Sequence, residues 1–203
     1  MFSGEVTIAF MEWWTLSKSA YIATQSAGDP ERKVLPSRKT LPVSQIPPNT
    51  PTPEILAADP YTSEAFEIRT KLKCAPLSFR DIAEGGLPSR KPIRDPESSA
   101  TEPTLTETSE TTLQPGIIEM TFCSFALHLV ENPSELFALL WELSTKCRWL
   151  IVLAPHKKPE IKDGWGWTKW DANTWSECPM TQSDGEFLQD RVHCRIYRSL
   201  NCA

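Results

Sequence analysis

The chain has 203 residues, 18 prolines against 8 glycines, and a net charge of −5 with a pI near 5.3. That acidic balance argues against broad binding to nucleic acid or to an anionic membrane, since neither finds a basic face to meet it. No apolar run approaches the roughly 18 to 20 residues that span a bilayer, and Met1 to Phe10 has neither a basic start nor a signal-type core. The expectation is a soluble, intracellular protein, with cytoplasm and mitochondrion not distinguished.

Met1 to Tyr21 holds an apolar cluster, Val6 to Phe10 followed by Trp13-Trp14, whose pattern fits a short strand or a helix equally well. From Gln25 to Pro53 the composition shifts to Pro, Ser, Thr, Lys and Arg, which cannot bury enough apolar surface to offset chain entropy. Residues 1–53 are therefore read as an unassigned N-terminal segment and a disordered Pro-rich linker, and residues 54–203 as a partial domain. Glu54 to Asp59, EILAAD, reads as a short strand ending in an acid, and Ser63 to Lys73 as a helix with Phe66, Leu72 and, less clearly, Ile68 inward. Leu77 to Ile82, LSFRDI, alternates like a strand and stops at the turn signal Glu84-Gly85-Gly86. Residues 88–114 are rich in Ser, Thr, Glu and Pro, and read as a disordered insertion between two strands.

The stretch from Ile117 to Pro159 carries the clearest pattern. Ile117 to Phe125 is a continuous apolar, β-branched and aromatic run after Pro115-Gly116, as expected of a strand covered on both faces. Asn132 suits an N-cap, Pro133 the first helical position and Glu135 the third, while Leu136, Leu139, Leu140 and Leu143 make one apolar face. Trp149 to Ala154 is a second unbroken apolar run, closed by Pro155. Strand, crossover helix and strand make a βαβ unit with parallel strands, so the loops after Phe125 and Ala154 share the carboxyl edge, where ligands bind in such sheets.

Farther on, Trp165, Trp167, Trp170 and Trp175 place four tryptophans in eleven positions among glycines and charges, a cluster expected to pack on its own domain rather than to form a lid. Gly185 to Ser199 alternates Val192, Cys194 and Ile196 against Arg191, His193 and Arg195, a half-buried strand near or at a sheet edge. The six cysteines form no CxxC pair and read as reduced thiols, mostly packing residues. His128, His156 and His193 are far apart in sequence, and no metal site is expected; a P-loop and a GxSxG elbow are also absent.

With strand–helix steps ending in EILAAD, LSFRDI and CSFALHL, residues 54 to 199 resemble a class I, Rossmann-like S-adenosylmethionine-dependent methyltransferase from its second strand onward. The resemblance implies an α/β fold, an incomplete Rossmann-like sheet that is mostly parallel with an antiparallel C-terminal strand. It places Asp59 on the cofactor's ribose hydroxyls, Asp81 (or Glu84) on the adenine amino group, and Ser124 to His128 beside the methyl donor and its acceptor. Its GxGxG loop, which holds the methionine part of the cofactor on backbone N–H groups, has no counterpart: residues 1–53 carry only Gly4 and Gly28.

Each candidate also has a plain reading. Asp59 equally suits a cap for the helix after Pro60, and Asp81 a turn acid. His128 suits a substrate-orienting or proton-accepting imidazole, or a buried ring bonded to backbone; His156, with Lys157 and Lys158, suits either an acidic or phenolic substrate or a solvated turn. Two functions follow. One is a methyltransferase-like protein, truncated or degenerate, using S-adenosylmethionine on an unknown methyl acceptor; the other is a non-catalytic relative that binds a protein partner.

Overall fold

The computed structural model describes residues 4–26, 44–87, 116–155 and 158–202. The chain divides into two compact units, Met1–Ser78 and Phe79–Ala203, so the expected boundary at residues 53/54 falls inside the first.

In the first unit the N-terminal cluster resolves as a helix, α1 (Glu5–Ser26). It takes in the first two residues of the expected linker. Residues 44–53 are not loose either: Ile46 donates its N–H to the Ser17 carbonyl at 3.3 Å, and Lys18 Nζ donates to the carbonyls of Pro48 (3.2 Å) and Thr50 (2.6 Å). One lysine satisfying two carbonyls of a Pro-rich stretch gives it an ordered path that composition alone does not reveal. Residues 27–43 and the expected insertion at 88–114 lie outside the described residues.

EILAAD supplies only a two-residue strand, β1 (Ala57–Ala58), followed by α2 (Ser63–Thr70). Its parallel partner is β2 (Cys74–Ala75), with Ala57 opposite Cys74, and the Asp59 N–H extends the ladder to the Ala75 carbonyl at 3.0 Å. Phe66 is the buried residue of α2, whereas Ile68 is exposed. The Glu5 carboxylate pairs with Arg69, tying α1 to α2.

The second unit opens with a correction. Leu77 to Ile82 is not a strand: α3 (Phe79–Ala83) begins there with Ile82 buried. Gly85, at φ 90°, closes the helix: its N–H bonds the Ile82 carbonyl at 3.0 Å and the Gly86 N–H bonds the Asp81 carbonyl at 2.8 Å. That is a Schellman cap, so the double glycine ends a helix rather than a strand.

The βαβ unit follows as β3 (Ile118–Ser124), a 3-10 turn at Leu127–Leu129, α4 (Pro133–Lys146) and β4 (Cys147–Pro155), with β3 and β4 parallel. Asn132 caps α4 through its side-chain oxygen, which accepts from Ser134 N at 2.9 Å, and Leu136, Leu139, Leu140 and Leu143 are all buried. The chain continues as β5 (Trp167–Asp171), β6 (Ser176–Cys178), β7 (Phe187–Gln189) and β8 (Val192–Ser199). The six-stranded sheet runs β3-β4-β8-β5-β6, with β7 pairing β8. β8 is antiparallel to β4, β5 and β7, and β6 is antiparallel to β5. Thus β3, β4, β5 and β7 share a direction, although direct parallel pairing within this sheet is confined to β3 and β4.

β8 is therefore an interior strand, not an edge. His193, Arg195 and Tyr197 stand opposite Ala154, Val152 and Leu150, on the covered face. Burial of Arg195 beside Ile196 departs from the expected alternation because the guanidinium finds acceptors, the carbonyls of Pro159 (2.7 Å) and Lys158 (2.9 Å). The same face meets α4: Trp167 Nε1 donates to the Leu140 carbonyl at 2.8 Å and Ser199 Oγ to the Ser144 carbonyl at 2.6 Å. Gly166, at φ 83°, lets the backbone run against Ser144 where a Cβ would collide. No helix among the described residues is long and apolar enough to cross a membrane.

Candidate functional site

The carboxyl edge of β3 and β4 is where the chemistry gathers. β3 ends at Ser124, opposite Leu153, and Phe125 then takes φ 52° while its N–H bonds the Leu153 carbonyl at 2.8 Å. A left-handed phenylalanine is strained, and such residues cluster at ligand sites. The turn it starts carries His128, whose Nδ1 is buried with no hydrogen-bond partner among the described residues. Both readings of His128 from the sequence are thus narrowed: the ring is not held by a backbone bond at that nitrogen. His156 lies outside the described residues.

The first strand of the resemblance is placed differently. Asp59 Oδ1 accepts from the backbone N–H groups of Tyr61 and Thr62, both at 2.7 Å, the geometry of an Asx turn that leads into α2. Burial pushes its carboxyl up, but those hydrogen bonds outweigh it and hold it below the ordinary value. Asp81 lies within α3 with its side chain exposed, not at the end of a strand. Asp59 belongs to one unit, and Asp81 with Ser124 to the other.

S-adenosylmethionine finds a poor fit among these groups. Asp59, which the resemblance gives to the ribose, serves the Asx turn through Oδ1. Among the described residues the positive-φ glycines offer no cradle: Gly4 backs onto Phe66 and Thr70, Gly85 caps α3, Gly166 abuts Ser144, and Gly164 stands alone in its loop. Among the described residues no group of three or more His, Cys, Asp or Glu side chains is arranged to hold a metal ion. The cysteines are free thiols; burial pushes Cys123 up to about 12, so it stays protonated and inert.

A second cluster, which the sequence reading missed, stands at the start of β8. Glu186 accepts through one oxygen from Lys169 of β5 and through the other meets His193 Nδ1 at 2.9 Å. Lys169 Nζ also donates to the Gln182 carbonyl. The Lys169 and Glu186 side chains are only 4% and 6% exposed, and that of His193 14%. Glycine makes room here as well, since a Cβ on Gly185 would strike Asp171 at 2.5 Å. The signal for this cluster is Lys169 in a tryptophan-flanked strand and an acid just past Gly185. Neither is distinctive until β5 and β8 are known to be neighbours.

On the opposite face of the sheet, Trp149 stacks on Trp175 at 5.3 Å and meets Trp170 edge-on at 5.3 Å, with the Arg198 guanidinium over Trp149 and Trp170 at 5.8 and 5.5 Å. Trp175 remains 57% exposed, while Trp167 is buried under α4. The tryptophan cluster thus packs within its own unit, as expected, but leaves one ring in solvent.

The chain is 38% identical over 200 residues to an uncharacterized protein of Schizosaccharomyces pombe, an alignment that covers 98% of this chain and 68% of the yeast protein. The chain belongs to the family of that yeast protein. No protein-family model matches, and no solved structure matches.

Proposed function

We propose that this member of the yeast protein's family is a methyltransferase-like protein that keeps the acceptor side of a Rossmann-like sheet and does not by itself hold S-adenosylmethionine tightly. One observation carries the reading. β3, β4 and β5 run one way, β8 runs against them between β4 and β5, and the carboxyl edge so formed presents Ser124, a strained Phe125 and the unpartnered Nδ1 of His128. In that frame Ser124 and His128 stand where an unknown methyl acceptor is oriented, with positioning rather than acid–base chemistry the main contribution. The commitment of Asp59 to an Asx turn supports the weak-cofactor part of the proposal.

Calorimetric titration with S-adenosylhomocysteine, run on this chain and on the longer yeast relative, tests it. Saturable binding by the relative and little or none by this chain is the expected result. Micromolar binding by this chain that Asp59→Ala abolishes would overturn the weak-cofactor part, and absence of binding to both proteins would overturn the methyltransferase-like reading. The last outcome would leave the second reading, a non-catalytic module that binds a protein partner, which the exposed Trp175 and Phe187 favour.

A further inference from the structure

We propose that Glu186 and His193 form a carboxylate–imidazole pair whose Nε2 accepts a proton from a protic group, a hydroxyl, thiol or ammonium, of a ligand at the carboxyl edge of β4. The proposal does not rest on the methyltransferase reading. His193 stands opposite Ala154, next to the last residue of β4, and its ring keeps some exposure, whereas the acid behind it is sealed. Burial pushes the Glu186 carboxyl up, but the hydrogen bonds from Lys169 and His193 and the charges of Lys169 and Arg195 outweigh it and hold it below the ordinary value. It is therefore a carboxylate, and a carboxylate only accepts, so the 2.9 Å contact requires Nδ1 to carry the proton. In the neutral ring the lone pair is then on Nε2.

The surroundings suit the exchange. The Lys169 ammonium, from β5, is bound to Glu186 and to the Gln182 carbonyl, and the Arg195 guanidinium, two residues along β8, is bound to the carbonyls of Lys158 and Pro159. Glu186 faces the imidazole directly and opposes the charge that the ring gains on taking the proton. Tyr197 and Cys178, also within reach of the Glu186 charge, are kept protonated by burial, Tyr197 pushed up to about 12. From β4 and β7 the residues opposite are Ala154 and Leu188, which carry no charge. The step is a proton transfer only: the ligand's X–H bond breaks, an Nε2–H bond forms, and the ligand is left as the anion or, from an ammonium, as the free amine. Glu186 is a positioning residue, since it acts through the ring.

The test uses the full chain with nitrogen-labelled histidine, its signals assigned with His128→Gln and His156→Gln. Two-bond proton–nitrogen correlation is expected to find neutral His193 as the Nδ1–H tautomer, and diethyl pyrocarbonate to acylate it in the folded chain. Glu186→Gln is expected to slow that acylation by about tenfold and to change its pH profile. An Nε2–H tautomer in the unsubstituted chain, a His193 that resists acylation, or a folded Glu186→Gln chain with an unchanged rate and profile would each overturn the proposal. Should Glu186→Gln fail to fold, the tautomer and the acylation of the unsubstituted chain decide it.

Discussion

In the second unit Leu139, Leu140 and Leu143 of α4 are sealed beside a six-stranded sheet, whereas in the first unit the buried apolar side chains among the described residues are Phe66 and Cys74, and the ladder is two residues long. The first unit relies instead on directed polar contacts: the Lys18 bonds to the Pro48 and Thr50 carbonyls, the Glu5–Arg69 pair and the Asp59 turn. Apolar burial is worth roughly 25 cal/mol per Å², while an exposed ion pair contributes about 0 to 1 kcal/mol. The comparison therefore predicts a second unit that sets the stability of the chain and a first unit that opens more readily. Native-state hydrogen exchange reads this directly, with β4 amides the slowest and β1 and β2 amides fast.

The largest effect belongs to the sealed helix. Leu140→Ala, at a side chain that is 0% exposed, is expected to cost about 2 to 5 kcal/mol in urea unfolding while leaving exchange in β1 and β2 unchanged. A loss under about half a kcal/mol would mean that α4 is not part of the core and would erase the contrast between the units.

Next is Glu186→Gln, which leaves the Lys169 ammonium buried beside a neutral amide and is expected to cost about 3 kcal/mol. Its pH dependence has a definite sign. Because the folded Glu186 carboxyl titrates below its ordinary value, its contribution is fully present above the unfolded value and is lost as pH falls through the folded one. Urea midpoints of the unsubstituted chain should fall on acidification through that window more steeply than those of Glu186→Gln. Parallel curves would assign the acid sensitivity to other carboxylates.

The same contrast explains what was legible in the sequence. Local patterns match the cap at Asn132, the leucine face of α4 and the strand positions of β3 and β4, but β3 is an edge strand with Met120 and Phe122 exposed rather than a strand covered on both faces. The leucine face and β4 are reinforced by extensive apolar burial. Where a few polar bonds decide the structure, the reading failed. LSFRDI has the alternation of a strand, yet a Schellman cap at Gly85 and Gly86 closes it as a helix. The Lys169–Glu186–His193 cluster was out of reach for a different reason, since it joins residues of β5 and β8 and the turn before β7, whose adjacency is a property of strand order. Burial of Arg195 departs from the simple alternation of Val192, Cys194 and Ile196 because the carbonyls of Lys158 and Pro159 that receive it leave no trace in composition.

A cap tests the second unit at smaller scale. Asn132→Ala removes the side-chain acceptor for Ser134 N and is expected to cost about 1 kcal/mol by urea unfolding, with Asn132→Asp close to neutral. A full loss in Asn132→Asp as well would point to something other than the cap.

The smallest effect is expected in the first unit, at Asp59. Its oxygen satisfies two N–H groups at the entry to α2, so Asp59→Ala should cost about 0.5 to 1 kcal/mol, while Asp59→Asn, which keeps the acceptor, should cost less. The folded carboxyl is held below its ordinary value, so this contribution too is present above the unfolded value and lost as pH falls through the folded one. The readout is exchange at the Tyr61 and Thr62 amides, because the loss is small beside the global stability set by the other unit. If Asp59 serves the turn, Asp59→Ala speeds exchange at those amides with or without S-adenosylhomocysteine present. Exchange at those amides that S-adenosylhomocysteine speeds in the unsubstituted chain, but not in Asp59→Ala, would mean that the carboxylate leaves the turn for the ribose.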